Sequence, residues 1–290
     1  MEPTPHQPTP AVLAEIVAHK REEIARGREA TPLEELRARV AGMPRPRNFF
    51  TAVTRQPRLG TRIIAEVKRK SPSAGWMRPE YAGEGFRPED IASRYHRAGA
   101  AAISCLTDER YFGGHLSYIE RIRAAVPLPV LRKDFIVDPW QVWESRAAGA
   151  DAVLLIAECL TLSELSDLLI LSHELGLTTL LEAHGKEQVR RVLDRVGFPL
   201  PSYALLGINN RDLTTMRVDL DQTLRLAELV EDTTILVSES GIRTPADLTR
   251  LRGAGVRIAL VGEHLMKAED PGRALAELLA RDPAKNDHGS

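Results

Sequence analysis

The chain has 290 residues, 43% of them hydrophobic, which is enough for a sizeable core in one large domain or two small ones. Its formal net charge is −1 and its acidic and basic residues are interspersed, so no basic surface for nucleic acid stands out. No apolar stretch is long enough to span a membrane, and the polar start of the chain lacks a signal-peptide core. With only Cys105 and Cys159 as thiols, which fits a reducing compartment, we expect a soluble cytoplasmic protein.

The two ends of the chain are polar, and their composition predicts disorder for residues 1–10 and 282–290. Between them we expect one domain, residues 11–281. A helical pattern begins at Ala11, and a second helical segment near Leu33–Val40 follows the start signal Thr31–Pro32. This helical extension, residues 11 to about 45, precedes the first strand and could cover what the strands build.

Beyond Thr61, short apolar runs alternate with amphipathic helical segments. The runs predict eight strands: Ile63–Val67, Ala101–Leu106, Val130–Leu131, Ala152–Ile156, Thr178–Glu182, Ala204–Ile208, Ile235–Val237 and Ile258–Val261. The predicted helices are Pro88–Ala98, Pro139–Ala148, Leu162–Leu175, Lys186–Val196, Leu220–Leu229, Pro245–Gly253 and Pro271–Leu279. Several of them end in glycine, the expected residue just past a helix.

This alternation is typical of parallel βαβ units, and their number and length predict a single (β/α)8 barrel, an α/β fold. A doubly wound open sheet is the alternative. Such a sheet more often carries a glycine-rich turn after its first strand, whereas Val67–Ser71 here contains no glycine.

Charged residues cluster at the predicted strand ends, where a barrel enzyme builds its active site. Glu66 and Lys68 share one side of the first strand by alternation, Lys133 ends the third strand, and Glu182 ends the fifth. One such charge could be a structural ion pair, for example Glu66 with Lys133. Two lysines and two carboxylates at one opening indicate acid–base chemistry instead, because unpaired burial would be costly and because neighbouring charges can move a lysine pKa toward the working pH.

The loops after strands seven and eight contain Gly241 and Gly262, whose backbone N–H groups could approach an anion. Loops at these two positions commonly bind phosphate in this architecture. Either glycine alone could be an ordinary turn, but the pair favours a phosphate site.

Six motifs, in order along the chain, resemble indole-3-glycerol phosphate synthase over roughly residues 11–280. They are Glu66–Ser73, Leu106–Gly114, Leu131–Ile136, Gly207–Leu213, Ser238–Ile242 and Leu260–Glu263. The resemblance implies a (β/α)8 barrel with an N-terminal helical extension. It also implies ring closure of 1-(2-carboxyphenylamino)-1-deoxyribulose 5-phosphate to indole-3-glycerol phosphate in tryptophan synthesis, with release of CO2 and water and without a cofactor or metal.

The resemblance also implies roles for single residues. Lys133 would be the general acid that protonates the substrate ketone, and Glu66 would orient it and stabilise the cationic intermediate. Glu182 would be the base of the dehydration, and Lys68 would pair with the substrate carboxylate and could supply the acid of that step. The remaining polar positions are the positioning residues Asn209 and Ser240, with Arg211 in the same motif, and the phosphate-binding residues Ser71, Gly241, Gly262 and Glu263, the last through its backbone N–H.

An apolar slot for the anthranilate ring would consist of Phe112, Leu131, Phe135, Leu154 and Ile156. Each of these residues could also be plain core. We expect a small sugar-phosphate substrate, no nucleic-acid or membrane partner, and a monomer or weak homodimer.

Two segments are longer than we expect of the family, Gly75–Ile91 on the catalytic side and Val196–Ser202 on the opposite face. Two other functions compete with the synthase. An isomerase of phosphoribosyl anthranilate would need a Cys/Asp pair, but neither cysteine lies at a matching strand end. A catalytically inactive scaffold should have lost one of Glu66, Lys68, Lys133 and Glu182, but all four are present.

Overall fold

The computed structural model describes residues 11–55, 60–196, 203–212 and 215–280. The ends predicted to be disordered, 1–10 and 282–290, lie outside the described residues, as does the extended segment before the sixth strand except for residue 196. Their predictions therefore stay predictions.

Eight parallel strands close into a barrel, as the sequence predicted. Each strand is hydrogen-bonded to the strands before and after it in the chain, and the first pairs with the eighth, Arg62 opposite Ile258. The strands are β1 Arg62–Val67, β2 Ala102–Leu106, β3 Val130–Lys133, β4 Ala152–Ile156, β5 Thr178–Ala183, β6 Ala204–Asn209, β7 Leu236–Glu239 and β8 Ile258–Val261.

Helices surround the barrel and precede it. They are α1 Ala11–Ala30, α2 Leu33–Ala41, α3 Phe49–Thr54, α4 Pro88–Arg97, α5 Tyr118–Ala125, α6 Pro139–Ala147, α7 Leu162–Glu174, α8 Lys186–Val196, α9 Asp221–Ala227, α10 Pro245–Gly253, α11 Glu263–Lys267 and α12 Pro271–Leu279. The sequence did not predict α3, α5 and α11. Each has only five to eight residues, too few turns for a clear hydrophobic period.

Local sequence signals explain where several helices begin. Asp138 caps α6 by accepting from the N–H of Trp140, and Pro139 occupies the first helical turn, where its missing N–H is not needed. Thr161 and Glu164 cap α7 reciprocally, each side chain bonding the other residue's backbone N–H. These caps fix the residues at which α6 and α7 begin.

The barrel strands are almost entirely buried because helices cover their outer face and packed side chains fill the interior. Such strands appear in the sequence as continuous apolar runs rather than alternating ones. Polar side chains enter only near the strand ends. The strands are therefore rigid supports for the charged residues that end them.

The segment between α2 and α3 closes the amino-terminal face of the barrel through Arg47. Its guanidinium donates to the carbonyls of Arg123, Val126 and Leu128, and its backbone N–H donates to Asp151. Contacts at this face stabilise the barrel, whereas the catalytic loops of this architecture lie at the other end.

Within the described residues, no helix combines the length and apolar character required to cross a membrane.

Candidate active site

A cavity of about 460 Å³ opens at the carboxyl ends of the strands. Residues from α1 and from the strand ends line it. With the exception of Leu131, every site residue predicted from the sequence is on its wall: Glu66, Lys68, Ser71, Phe112, Lys133, Phe135, Leu154, Ile156, Glu182, Asn209, Arg211, Ser240, Gly241, Gly262 and Glu263.

Lys133 is held by two carboxylates at the centre of the cavity floor. Its Nζ lies 2.8 Å from Glu182 Oε2 and 3.2 Å from Glu239 Oε2. Burial alone would lower the pKa of Lys133, but the charges of Glu182, Glu239 and Glu66 outweigh it and raise the pKa above its ordinary value. The expectation from the sequence that the pKa of Lys133 lies near the working pH is therefore wrong, because carboxylates rather than the second lysine surround the ammonium.

The two glutamates that contact Lys133 differ in protonation state: Glu182 is ionised and Glu239 is neutral. Burial raises the pKa of both, but the Lys133 and His184 charges lower that of Glu182 to about 2. For Glu239, burial and the nearby Glu182 charge outweigh Lys133 and raise the pKa to about 8. Two buried carboxylates beside one lysine cannot both ionise cheaply, so a proton stays on Glu239 while Glu182 is ionised.

Glu66 forms its close ion pair with Lys68, not with Lys133. The distance from Lys68 Nζ to Glu66 Oε1 is 2.6 Å. Glu66 lies near the end of β1 and Lys68 directly follows the strand, two residues further on, so the two side chains point to the same side, as alternation predicted, and meet directly. The expected contact in which Glu66 orients Lys133 is absent from the ion pairs of the described residues, and Glu239, which the sequence analysis passed over, takes that place.

Asn209 and Arg211 extend the polar wall beyond Glu182. The Asn209 amide donates to Glu182 Oε1 at 3.2 Å, and the backbone N–H of Arg211 donates to Asn209 Oδ1 at 3.1 Å. The Asn209 side chain therefore orients the carboxylate from the side opposite Lys133.

The turn after β7 has an unusual backbone. Ser240 and Gly241 both have positive φ, 66° and 84°, a conformation that costs energy for serine. The buried Asn210 amide holds this turn by donating to Ser240 O at 3.0 Å and to Ser238 Oγ at 3.1 Å. Asn210 lies in the motif Gly207–Leu213, but only the fold shows that its side chain crosses to β7.

Basic side chains stand around the rim where the sequence predicted phosphate. Arg211 and Lys267 lie 3.0 Å and 2.7 Å from the two oxygens of the Glu263 carboxylate. Burial raises the pKa of Glu263, but Lys267 and Arg211 outweigh it and lower the pKa. Lys267 and Arg243 also line the cavity and were not predicted, since neither lies in a strand-end motif.

Glycine is required at Gly262 by close packing. A Cβ there would overlap the carboxylate of Glu66, which lies directly over this residue. A Cβ at Gly207 would overlap the carboxylate of Glu239 in the same way. Both glycines make room on the barrel floor for an ionisable side chain from a neighbouring strand.

The apolar wall is built partly by α1. Phe112 and Phe135 face each other with ring centroids 6.1 Å apart, and Leu154 and Ile156 continue the wall. Val12, Leu13 and Ile16 of α1 complete it. The placement of Leu131 in the slot was wrong, because this side chain is fully buried and does not line the cavity. Leu131 shares one side of β3 with Lys133 but lies two residues before the strand end, so Lys133 reaches the cavity and Leu131 stays in the core beneath it.

A buried ion cluster anchors α1 to this wall. Lys20 Nζ lies 2.9 Å from Asp108 Oδ2 and 3.0 Å from Asp134 Oδ1. Asp108 in turn accepts from the N–H groups of Tyr111 and Phe112. The cluster thus sets the position of the Phe112 loop.

Within the described ranges, no group of three or more His, Cys, Asp or Glu side chains could hold a metal ion.

The closed barrel and the Lys133–carboxylate cluster at its carboxyl end define the class, a (β/α)8-barrel enzyme with ionisable residues gathered at its strand ends. Comparison with known families narrows the class, because the model of the family indole-3-glycerol phosphate synthase matches residues 13–278. The chain belongs to the indole-3-glycerol phosphate synthase family, carboxy-lyases of tryptophan biosynthesis.

Curated relatives of the same family match this chain over nearly their full length. The chain is 44% identical to indole-3-glycerol phosphate synthase of Rhodospirillum rubrum over 269 residues, covering 92% of this chain and 98% of that protein. It is 45% identical to the protein of the same name from Aromatoleum aromaticum, with 92% and 98% covered, and 45% identical to that from Rhodopirellula baltica, with 93% and 99% covered.

Solved structures with the same fold include a 3-hexulose-6-phosphate synthase, with a TM-score of 0.56 at 14% identity, covering 75% of this chain and 97% of that one. Another is KGPDC from Streptococcus mutans, with a TM-score of 0.54 at 13% identity, covering 76% and 96%. At these identities the likeness establishes the barrel fold alone.

Proposed function

We propose that this chain converts 1-(2-carboxyphenylamino)-1-deoxyribulose 5-phosphate to indole-3-glycerol phosphate, with release of CO2 and water, by general acid–base catalysis. The observation that carries the proposal is the Lys133 ammonium held between Glu182 and Glu239 on the floor of a cavity that also contains the Glu66–Lys68 pair. A proton donor and an ionised base thereby face one substrate-sized space.

The two ends of the cavity suit the two ends of this substrate. The phosphate would bind at the rim formed by Ser71 and by the backbone N–H groups of Gly241, Gly262 and Glu263, near Arg243 and Lys267. The anthranilate ring would enter the apolar wall of Phe112, Phe135, Leu154 and Ile156. Such a placement lays the reacting ketone between the two ends, over Lys133.

In the condensation, Lys133 would donate its proton to the ketone oxygen while the anthranilate ring carbon attacks the carbonyl carbon. The raised pKa of Lys133 supports this role, because the group is an ammonium before substrate binds. Lys68 would hold the carboxylate of the substrate. When that carboxylate leaves as CO2, the electrons of the broken bond restore the aromatic ring.

In the dehydration, Glu182 would remove the proton while the hydroxyl leaves as water after protonation, with Lys68 available as the acid. The low pKa of Glu182 supports its role as the base, because the carboxylate is ionised at neutral pH. Asn209 and Ser240 would position the substrate beside it. General acid–base steps of this kind are worth about 10²–10⁴-fold each.

We further propose that the protein works in the cytoplasm as a monomer or weak homodimer and needs neither a nucleic-acid nor a membrane partner. The cavity, which residues of one chain line, suits a small phosphorylated substrate and supports this arrangement. Sedimentation velocity at micromolar concentrations tests the oligomeric state, and a stable assembly larger than a dimer would contradict the proposal.

The purified protein mixed with the carboxyphenylamino substrate should produce indole fluorescence. An isomerase would instead act on phosphoribosyl anthranilate, and an inactive scaffold would bind without turnover; either result contradicts the proposal. The isomerase has little support in the site, because neither Cys105 nor Cys159 lines the cavity and burial raises the pKa of both thiols.

A further inference from the structure

A buried histidine lies against the proposed base. His184 follows Glu182 by two residues on the β5 end, so both side chains point to the same side of the strand. His184 Nε2 lies 3.3 Å from Glu182 Oε1, and its side chain is only 10% exposed. Glu182 therefore has a cationic partner on each oxygen, Lys133 on Oε2 and His184 on Oε1.

Glu158 holds the other side of the histidine. His184 Nδ1 lies 3.2 Å from Glu158 Oε2, and the backbone N–H of His184 donates to Glu158 Oε1 at 2.9 Å. A single carboxylate thus contacts both the ring and the main chain of His184. This double contact fixes where the imidazole stands relative to Glu182.

The turn that carries Glu158 is itself fixed. It is a short 3-10 turn, Ala157–Cys159, directly after β4. Arg191 of α8 donates to the carbonyls of Ala157 at 3.3 Å and Leu160 at 2.7 Å. On the other side, the Gln222 amide donates to His184 O and Asn209 O, which joins the ends of β5 and β6.

The charges around the imidazole favour its protonated form. Carboxylates face it from three elements: Glu182 on β5, Glu158 after β4 and Glu239 on β7. Burial alone would lower the pKa of His184, but the contact with Glu158 and the charges of Glu182 and Glu158 outweigh it and raise the pKa.

We propose that His184, held by Glu158, is a positioning residue that keeps Glu182 ionised and oriented as the base of the dehydration. The proposal rests on the proposed function. Its physical reason lies in the order of the steps. Lys133 transfers its proton to the ketone oxygen in the condensation, and the neutral amine can no longer balance the Glu182 charge. His184 retains its charge, so Glu182 is still a carboxylate when it accepts the proton in the later step.

The test compares steady-state kinetics and pH profiles of His184→Asn and Glu158→Gln with wild type. We expect kcat to fall about 10-fold to 100-fold in His184→Asn, within the range of acid–base contributions, and KM to change less than about threefold. We also expect the acidic limb of the kcat profile to move to higher pH in His184→Asn, because Glu182 is more easily protonated without its imidazolium partner. In Glu158→Gln we expect the basic limb to move to lower pH, because His184 loses its proton more easily without the Glu158 carboxylate. His173→Asn on α7, outside the cavity, is the matched control and should behave as wild type.

A double variant that combines His184→Asn with Glu158→Gln separates this positioning role from a general loss of structure. If Glu158 acts through His184, the double variant should lose no more kcat than His184→Asn alone, whereas independent effects would multiply. Thermal melting verifies folding; should His184→Asn not fold, the basic-limb shift of Glu158→Gln carries the test. Unmoved pH profiles, or a multiplied loss in the double variant, would overturn the proposal. Wild-type protein without indole production would instead refute the proposed function.

Discussion

At the scale of single residues, the protonation states in this site depend on contacts more than on residue type. Glu182 and Glu239 are both buried glutamates that approach the same lysine, yet the pKa of one is lowered to about 2 and that of the other is raised to about 8. His184 lies on the Glu182 side, and this asymmetry decides which carboxylate keeps the proton. Pairs of titratable groups with diverging pKa values are a frequent mark of acid–base assignment.

Replacing Lys133 by methionine removes the proposed proton donor and keeps the length of the side chain. We expect Lys133→Met to abolish turnover while the substrate Kd, measured by titration calorimetry, stays within about tenfold, because binding rests mainly on the ring slot and the phosphate rim. Lys186→Met, an exposed lysine at the start of α8, is the control. Near-wild-type activity in Lys133→Met would remove this residue from the mechanism.

The raised pKa of Glu239 predicts a specific pH dependence of stability. Between its ordinary value of 4.5 and about 8, the folded protein retains a proton that the unfolded chain has lost. Stability from this group is therefore complete below pH 4.5 and decreases as pH rises toward 8.

Glu239→Gln mimics the protonated form and lacks this dependence. We expect wild type to lose stability relative to Glu239→Gln by on the order of 1 kcal/mol per pH unit between pH 5 and 8, and no further above. Urea unfolding of both proteins across this range measures the difference. Parallel pH curves would show that Glu239 is not protonated in the folded state.

At the scale of elements, α1 is part of the site as well as a cover for it. Its residues Val12, Leu13 and Ile16 line the cavity, and Lys20 reaches Asp108 and Asp134 in the loops after β2 and β3. Burial alone would lower the pKa of Lys20, but the two aspartates outweigh it and raise the pKa, so the amine is charged. The helix is thus attached by a buried ion cluster in addition to apolar packing.

Lys20→Met should leave Asp108 and Asp134 buried with less counter-charge. Removing one partner of a buried ion pair typically costs about 3–5 kcal/mol, and we expect a loss of unfolding free energy in that range. We also expect a higher KM, since Asp108 holds the backbone of Phe112. Denaturant unfolding and kinetics test both effects against Lys186→Met. A loss of stability below about 1 kcal/mol would mean that the cluster does not anchor α1.

At the scale of the whole molecule, closing the barrel brings the two ends of the sheet together and completes the site. β1 pairs with β8, so Glu66 near the start of the barrel lies over Gly262 near its end. The Glu66–Lys68 pair consequently depends on a residue almost at the other end of the fold. Any side chain at Gly262 must displace the Glu66 carboxylate.

Gly262→Ala tests this dependence. We expect kcat/KM to fall at least about tenfold, the size of a misplaced catalytic group, with a smaller effect on melting temperature. Gly253→Ala is a matched control, since a Cβ there meets no atom within 4 Å. Unchanged kinetics in Gly262→Ala would show that the position of Glu66 is unimportant.

Much of this protein follows from its sequence. The eight apolar runs predicted the barrel, since strands buried on both faces must be apolar throughout and the helices between them make the strands parallel. The charged residues ending those runs predicted which side chains would gather, since parallel strands end at the same rim. Motif likeness then named the family, which the comparisons confirmed.

Contacts across the rim were decided only by the tertiary structure. Lys133 meets Glu182 from 49 residues away and Glu239 from β7, although the sequence suggested Glu66 as its partner. Strand order places Glu66, Lys133, Glu182 and Glu239 around the same opening, but stagger and side-chain length select which pairs touch. The charge states of Glu239 and His184 then follow from burial and from those neighbours, which are properties of three-dimensional packing and not of local sequence.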